Sequence, residues 1–302
     1  MSYFAFDMDE AIAELYSVFY CITSLRLGES LKAAKIDSTL SPALEKQLYK
    51  AYQLFVKKVL HEETSAKPLG VIRPGVLQIM KSLHRLKISK KVAKVIIYSN
   101  NGNLQCLEFI RDIIHEYLGA PLIAECVHRL HPLREESTIR YKPSPAGLEK
   151  TWNNLRHVLI EGKAKAPSTL KASDVYFFDD LDHRDLHNGL GDHYYQVPAY
   201  RFKASFSRIG EIYQSAIAEA KVSIAQFLSH ITQLYGYNEN INTQTWSIRP
   251  LIELFTITTG QTVGQEELPP PYQYDKGIDM MKEAIARSKK GNKIYRYTKK
   301  NK

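Results

Sequence analysis

Three short runs constrain this chain most: Tyr3-Phe4-Ala5-Phe6, Val92-Ala93-Lys94-Val95-Ile96-Ile97-Tyr98 and Val175-Tyr176-Phe177-Phe178. Each is apolar almost throughout and rich in aromatic or β-branched residues. Strands that face water on one side alternate apolar and polar residues; strands buried on both faces do not. Stretches with apolar residues at helical spacing separate the runs. The fold expected is therefore α/β, a parallel sheet flanked by helices. Each run also ends in polar groups: Asp7 and Asp9, then Ser99, then Asp179 and Asp180. In open α/β sheets ligands bind in the crevice beyond the carboxyl ends of the strands.

Between these runs the order is readable. Ile12 to Leu27 places Ile12, Leu15, Phe19 and Ile22 on one side of a helix that Gly28 breaks. Ser41-Pro42 opens a second helix, a serine cap followed by a proline in the first turn, with Leu44, Leu48, Ala51, Phe55 and Val59 as its stripe. A turn from Thr64 to Gly70 follows, then a helix carrying Val76, Ile79, Met80 and Leu83. The polar loop Ser99-Asn100-Asn101-Gly102-Asn103 leads into a helix over Leu104 to Leu118, and its amides and hydroxyl suit an anion; alternatively Ser99 only caps that helix. Leu122 to Val127 and Tyr194 to Val197 read as strands, and Tyr141-Lys142-Pro143-Ser144-Pro145 as the start of a helix through Leu148, Trp152 and Leu155. One long helix is expected from Phe206 to Leu234, and a short one with Ile278, Met281 and Ile285 after the stiff Pro269-Pro270-Pro271. Residues 238–267 have no clear pattern.

Asp-x-Asp alone more often marks a capped turn than a site. Four motifs in order say more. Phe6-Asp7-Met8-Asp9-Glu10-Ala11, then Ile97-Tyr98-Ser99-Asn100, then Lys142-Pro143-Ser144-Pro145, then Phe177-Phe178-Asp179-Asp180 with Asp182 and Asp185, resemble the haloacid dehalogenase-like hydrolase superfamily over residues 1 to about 200. The resemblance implies a Rossmann-like core over 1–12 and 71–205, a helical cap over 13–70, and beyond the core a helical extension over 206–268, then a Pro-rich linker, short helix and basic tail over 269–302. It implies a phosphatase in which Asp7 is the nucleophile and Asp9 the general acid and base, with Ser99, Asn100 and Lys142 binding phosphate. Mg²⁺ would be held by Asp7, Asp9, Asp179 and Asp180. The electrostatic need for such a cation is general, since two like charges about 4 Å apart repel by about 4 kcal/mol at an effective dielectric of about 20. Ala11 departs from the Thr or Val usual at its place and costs some packing.

Composition bounds the rest. The chain has 302 residues and a formal net charge of +9, with Lys289, Lys290, Lys293, Arg296, Lys299, Lys300 and Lys302 running to the end without an acid. Lys289–Lys302 is either a solvated tail or a patch for nucleic acid or another polyanion. No run of about 18 apolar residues suits a membrane span, and no secretory pattern opens the chain. Cys21, Cys106 and Cys126 show no metal or disulfide spacing, so an intracellular, reducing, cytoplasmic location is expected. His128 with His131, and His183 with His187, read as surface residues rather than ligands. The substrate class is a phosphoprotein or a small phosphomonoester. Two alternatives stand beside it: a polynucleotide end phosphatase using the tail, and a catalytically silent scaffold. The latter follows a weaker similarity to haloacid-dehalogenase-like proteins of large DNA viruses and implies a virion component.

Overall fold

The computed structural model describes residues 1–134, 150–202, 204–235 and 275–290. Five strands form one parallel sheet: β1 (Ser2–Phe6), β2 (Val92–Tyr98), β3 (Ile123–Val127), β4 (Val175–Asp179) and β5 (Tyr194–Gln196), in the spatial order β3-β2-β1-β4-β5. This is a Rossmann-like α/β fold. The first strand is the central one. Phe4 pairs with Val95 on one side and Tyr176 on the other, and Phe6 with Ile97 and Phe178.

Successive strand residues point to opposite faces, and both faces are apolar, which explains the lack of alternation in the sequence. On one face Tyr3, Ala5, Ile96, Tyr98 and Phe177 pack with Leu155, Val158 and Leu159, which come from the helix Trp152–Glu161. On the other, Phe4 stacks on Tyr176 with ring centroids 4.9 Å apart, Phe6 on Phe178 at 4.8 Å, and Phe178 on Tyr195 at 5.0 Å.

The chain divides into two compact units. One comprises 1–13, 72–201 and the C-terminal part from 270; the other comprises 14–71 and 202–269. Chain order gives the helices as α1 (Phe19–Leu25), α2 (Leu27–Ala33), α3 (Pro42–Glu63), α4 (Val76–Ile88), α5 (Leu104–Leu118), α6 (Trp152–Glu161), α7 (Arg184–Leu190), α8 (Phe206–Ala220), α9 (Ile224–Tyr235) and α10 (Lys276–Lys290). No described helix is long and apolar enough to cross a membrane.

In the second unit α3 packs on α8. Ser41 caps α3 by accepting the Leu44 amide at 3.3 Å, and the expected stripe from Leu44 to Val59 is buried. Phe55 meets Tyr213 edge to face with centroids 6.0 Å apart, and Tyr213 shares a 2.7 Å hydrogen bond with Ser24. Gly70 needs its positive φ of 89°, and a Cβ there would fall 1.9 Å from the Phe202 ring.

Two expected helices are each divided. Between Ile12 and Leu27 the helix begins only at Phe19, because residues 8–13 fold back on themselves and the Glu14 carboxylate takes the Tyr16 amide and the Ser17 hydroxyl, both at 2.7 Å. A break then falls at Arg26, whose ψ of 41° is not helical, while Gly28, the expected breaker, lies inside α2. The helix expected from Phe206 to Leu234 ends at Ala220, since Lys221 takes the left-handed conformation (φ 58°) and the buried Val222 follows it. Residues 238–267, the three prolines and the tail beyond Lys290 lie outside the described residues, so Lys293, Arg296, Lys299, Lys300 and Lys302 do too.

Phe55→Ala should destabilise the protein by roughly 3–5 kcal/mol, the usual cost of emptying an aromatic site in a packed core. A chemical-denaturation midpoint measures it; a loss under about 1 kcal/mol would show that the site collapses freely.

Candidate metal and phosphate site

Parallel pairing carries the ends of β1, β2 and β4 to one edge of the sheet. Asp7 follows Phe6 directly, and its amide still donates to the Phe178 carbonyl at 2.8 Å, so its side chain lies beside the end of β4. Ser99 continues β2 in the same way, its amide donating to the Val127 carbonyl at 2.9 Å. Asp7, Asp179 and Asp180 converge there: each offers a carboxylate oxygen, and the three oxygens lie within 4.8 Å of one another. Among the described residues this is the only such group of possible metal ligands.

Buried acids of like charge need a counter-charge. Lys150 supplies one. Its Nζ donates to Asp7 Oδ1 at 2.5 Å and to Asp179 Oδ2 at 2.6 Å, and it is 1% exposed while Asp179 is 0% exposed. Burial alone would lower the lysine pKa, but the Asp7 and Asp179 carboxylates outweigh it and hold the value above the ordinary one. Asp7 is pushed up, by burial first; Lys150 opposes this and Asp179 adds to it. Asp180 is pushed up to about 7, by burial first and then by the charges of Asp7 and Asp179.

Lys150 is the residue that sequence reasoning missed. Lys142, expected to bind phosphate, lies outside the described residues. In Lys150-Thr151-Trp152, Thr151 caps α6 by accepting the Asn154 amide at 3.2 Å. A lysine just before a capped helix start was the available signal. The Lys150 amide donates to His183 Nδ1 at 3.2 Å, so the proton of a neutral ring sits on Nε2, which lies 3.5 Å from Asp179 Oδ2. His183 is fixed in turn: the Tyr194 hydroxyl accepts the His183 amide at 3.1 Å and donates to the Leu181 carbonyl at 2.5 Å. His187, by contrast, pairs with Asp182 at 2.9 Å on the exposed side of α7.

Ser99 stands where expected. Its hydroxyl works against the upward push on the Asp7 pKa and accepts the Asn101 amide at 3.2 Å. It does not cap α5; Asn103 does, accepting the Cys106 amide at 3.3 Å. Asn100 was expected to face phosphate, yet its Oδ1 accepts from Arg134 at 2.6 Å. Arg134, also missed, is 1% exposed; it donates to the Ser99 carbonyl at 2.5 Å and lies over the Tyr98 ring at 4.5 Å. Asp9 is not one of the three converging carboxylates. Instead its Oδ2 accepts from Asn101 Nδ2 at 3.1 Å, because the chain turns sharply after Met8 and Glu10 takes a positive φ of 56°. His131 lies 3.4 Å from Glu125 through Nε2.

The site thus presents three carboxylates and one ammonium. Fully ionised, it carries two net negative charges, which one divalent cation would neutralise. Comparison with protein-family models, curated proteins and solved structures found no match to this chain.

The raised pKa of Asp180 has a sign that can be checked. An unfolded aspartate ionises near about 3.9, so between about pH 4 and pH 7 the folded chain keeps a proton that the unfolded chain has lost, and this residue's contribution to stability falls as pH rises. In EDTA, Asp180→Asn should therefore gain stability relative to the parent chain as pH climbs through that window. Urea midpoints at several pH values measure it; a difference that does not change with pH would mean that Asp180 titrates normally.

Proposed function

We propose that this protein is a Mg²⁺-dependent phosphatase of the haloacid dehalogenase-like type, acting on a phosphomonoester through an aspartyl-phosphate, with the helical unit inserted after Ala13 as its cap. The observation that carries the reading is the convergence of Asp7, Asp179, Asp180 and Lys150 at the carboxyl edge of a parallel sheet. Three hard oxygen donors gathered within 4.8 Å of one another are the kind of ligand Mg²⁺ takes. Mg²⁺ held by these carboxylates would offset the repulsion between a carboxylate and a phosphate and polarise the phosphoryl oxygens.

The chain's own residues then have distinct tasks. An Asp7 oxygen attacks phosphorus, and the bond from phosphorus to the alcohol oxygen breaks. Asp9, steadied by Asn101, gives its proton to the departing alkoxide. As a carboxylate it next takes a proton from water, which attacks the phosphoryl group and frees Asp7 with inorganic phosphate. Lys150 and the Ser99 hydroxyl hold the non-bridging oxygens where negative charge grows. Arg134 holds the Ser99 backbone in place from beneath.

One observation favours a second reading, a silent scaffold: Lys150 already pairs with both buried carboxylates, so the fold tolerates them without turnover. Hydrolysis of p-nitrophenyl phosphate separates the two. The enzyme should be active with Mg²⁺, inactive in EDTA, and slowed on the order of 10³-fold or more by Asp7→Asn. Folded wild-type protein that hydrolyses nothing under any of several metals would leave the scaffold.

Lys150→Met should lower kcat by about 10²-fold or more. It should also destabilise the metal-free protein by roughly 3–5 kcal/mol at neutral pH, because the carboxylates lose their partner. Circular dichroism melts beside the same assay read both effects; an unchanged melting temperature would contradict the ion-pair geometry.

A further inference from the structure

The loop from Met8 to Ala13 carries Asp9 but belongs to no helix or strand. Within the loop the Ala11 amide donates to the Asp9 carbonyl at 2.7 Å, the Glu10 amide to the Ala13 carbonyl at 2.9 Å, and the Ile12 and Ala13 amides to the Met8 carbonyl at 3.1 Å. What holds the loop from outside comes from far along the chain. The Tyr200 amide donates to the Glu10 carbonyl at 2.6 Å and the Arg73 amide to the Ile12 carbonyl at 3.0 Å. The Arg73 side chain adds a clasp: one Nη donates to the Ala11 carbonyl at 3.1 Å and to the Pro198 carbonyl at 2.8 Å.

Arg73 is 3% exposed, and the counter-charge for its guanidinium comes from Asp275, at the head of α10. The pair is bidentate, Nε to Oδ2 at 2.8 Å and Nη to Oδ1 at 2.7 Å. The same Asp275 oxygen caps α10, accepting the Gly277 and Ile278 amides at 2.9 and 3.2 Å. Steric fit repeats the electrostatic one. A Cβ on Gly277 would fall 2.5 Å from an Arg73 Nη, so only glycine leaves room for the guanidinium, and one on Gly75 would fall 3.2 Å from Ile278. Met281, Ala284 and Ile285 continue the buried side of α10.

We propose that α10 is a clamp on the Asp9 loop. By seating Asp275 against Arg73 it fixes the guanidinium on the Ala11 and Pro198 carbonyls, and Arg73 thereby acts as a positioning residue for the general acid. Its link to catalysis rests on the phosphatase reading; its link to the loop does not.

The test uses the full chain and two variants that act differently. Asp275→Asn keeps an oxygen to cap α10, since Asn and Asp cap equally well, but removes the charge facing Arg73. Gly277→Ala keeps both charges and pushes the guanidinium aside. Backbone amide exchange should speed up on the order of tenfold or more at residues 10–13 in both variants, while α3 is unchanged. Exchange at residues 10–13 that matches the parent in both folded variants would overturn the clamp. In the p-nitrophenyl phosphate assay, well below the melting temperature, kcat should fall on the order of tenfold with KM nearly constant, and Asp275→Glu should recover part of it. Faster exchange with an unaltered kcat in an active enzyme would overturn the positioning role. A wild type inactive under every condition would instead sink the phosphatase reading, and exchange alone would then judge the clamp.

Discussion

Everything at the sheet edge depends on one ammonium lodged between two buried carboxylates. Without Lys150, Asp7 and Asp179 would be like charges in a site with little water, and each ion out of water costs several kcal/mol. With it, both can end adjacent strands at full burial. The arrangement demands accuracy, because an ammonium bonds both acids only if β1 and β4 are in register, as the pairing of Phe6 with Phe178 ensures. The fold and the charge cluster thus specify each other.

Around that cluster the molecule is unevenly built. On the β4 side, His183, Tyr194 and the Leu181 carbonyl form a chain of hydrogen bonds that ties the Lys150 backbone to the loop after β4. Beneath Ser99, Arg134 spans two backbone and side-chain oxygens of one loop. Such networks fix a polar group by leaving it few alternatives. On the Asp9 side the supports are instead distant in sequence, from Arg73, Pro198, Tyr200 and Asp275.

Much of this could be read from the residues, and what could not has physical reasons. Strands buried on both faces announce themselves, so β1, β2 and β4 and the acids that close them were legible. The Ser41 cap was legible for the same reason, because it acts within one turn. Lys150 was not, since an ion pair between residues 143 positions apart has no local period, and Lys142 stood in a more conspicuous motif. That Asn101 reaches Asp9 depends on backbone turns that residue types do not encode. The expected helices are interrupted at Arg26 and Lys221, ordinary helix formers that take non-helical backbone conformations here. That 202–235 belongs with 14–71, and α10 with the sheet, rests wholly on contacts between distant segments.

The position of β1 has a consequence for biosynthesis. Of the five sheet strands, the one earliest in the sequence occupies the middle of the sheet, yet its neighbours begin at Val92 and Val175. During translation, at about 5–20 residues per second, a sticky segment with two phenylalanines must wait unpaired on both edges until Val92–Tyr98 emerges, and on one edge until Val175–Asp179 follows. A core segment held open in this way is prone to aggregate until its neighbours arrive.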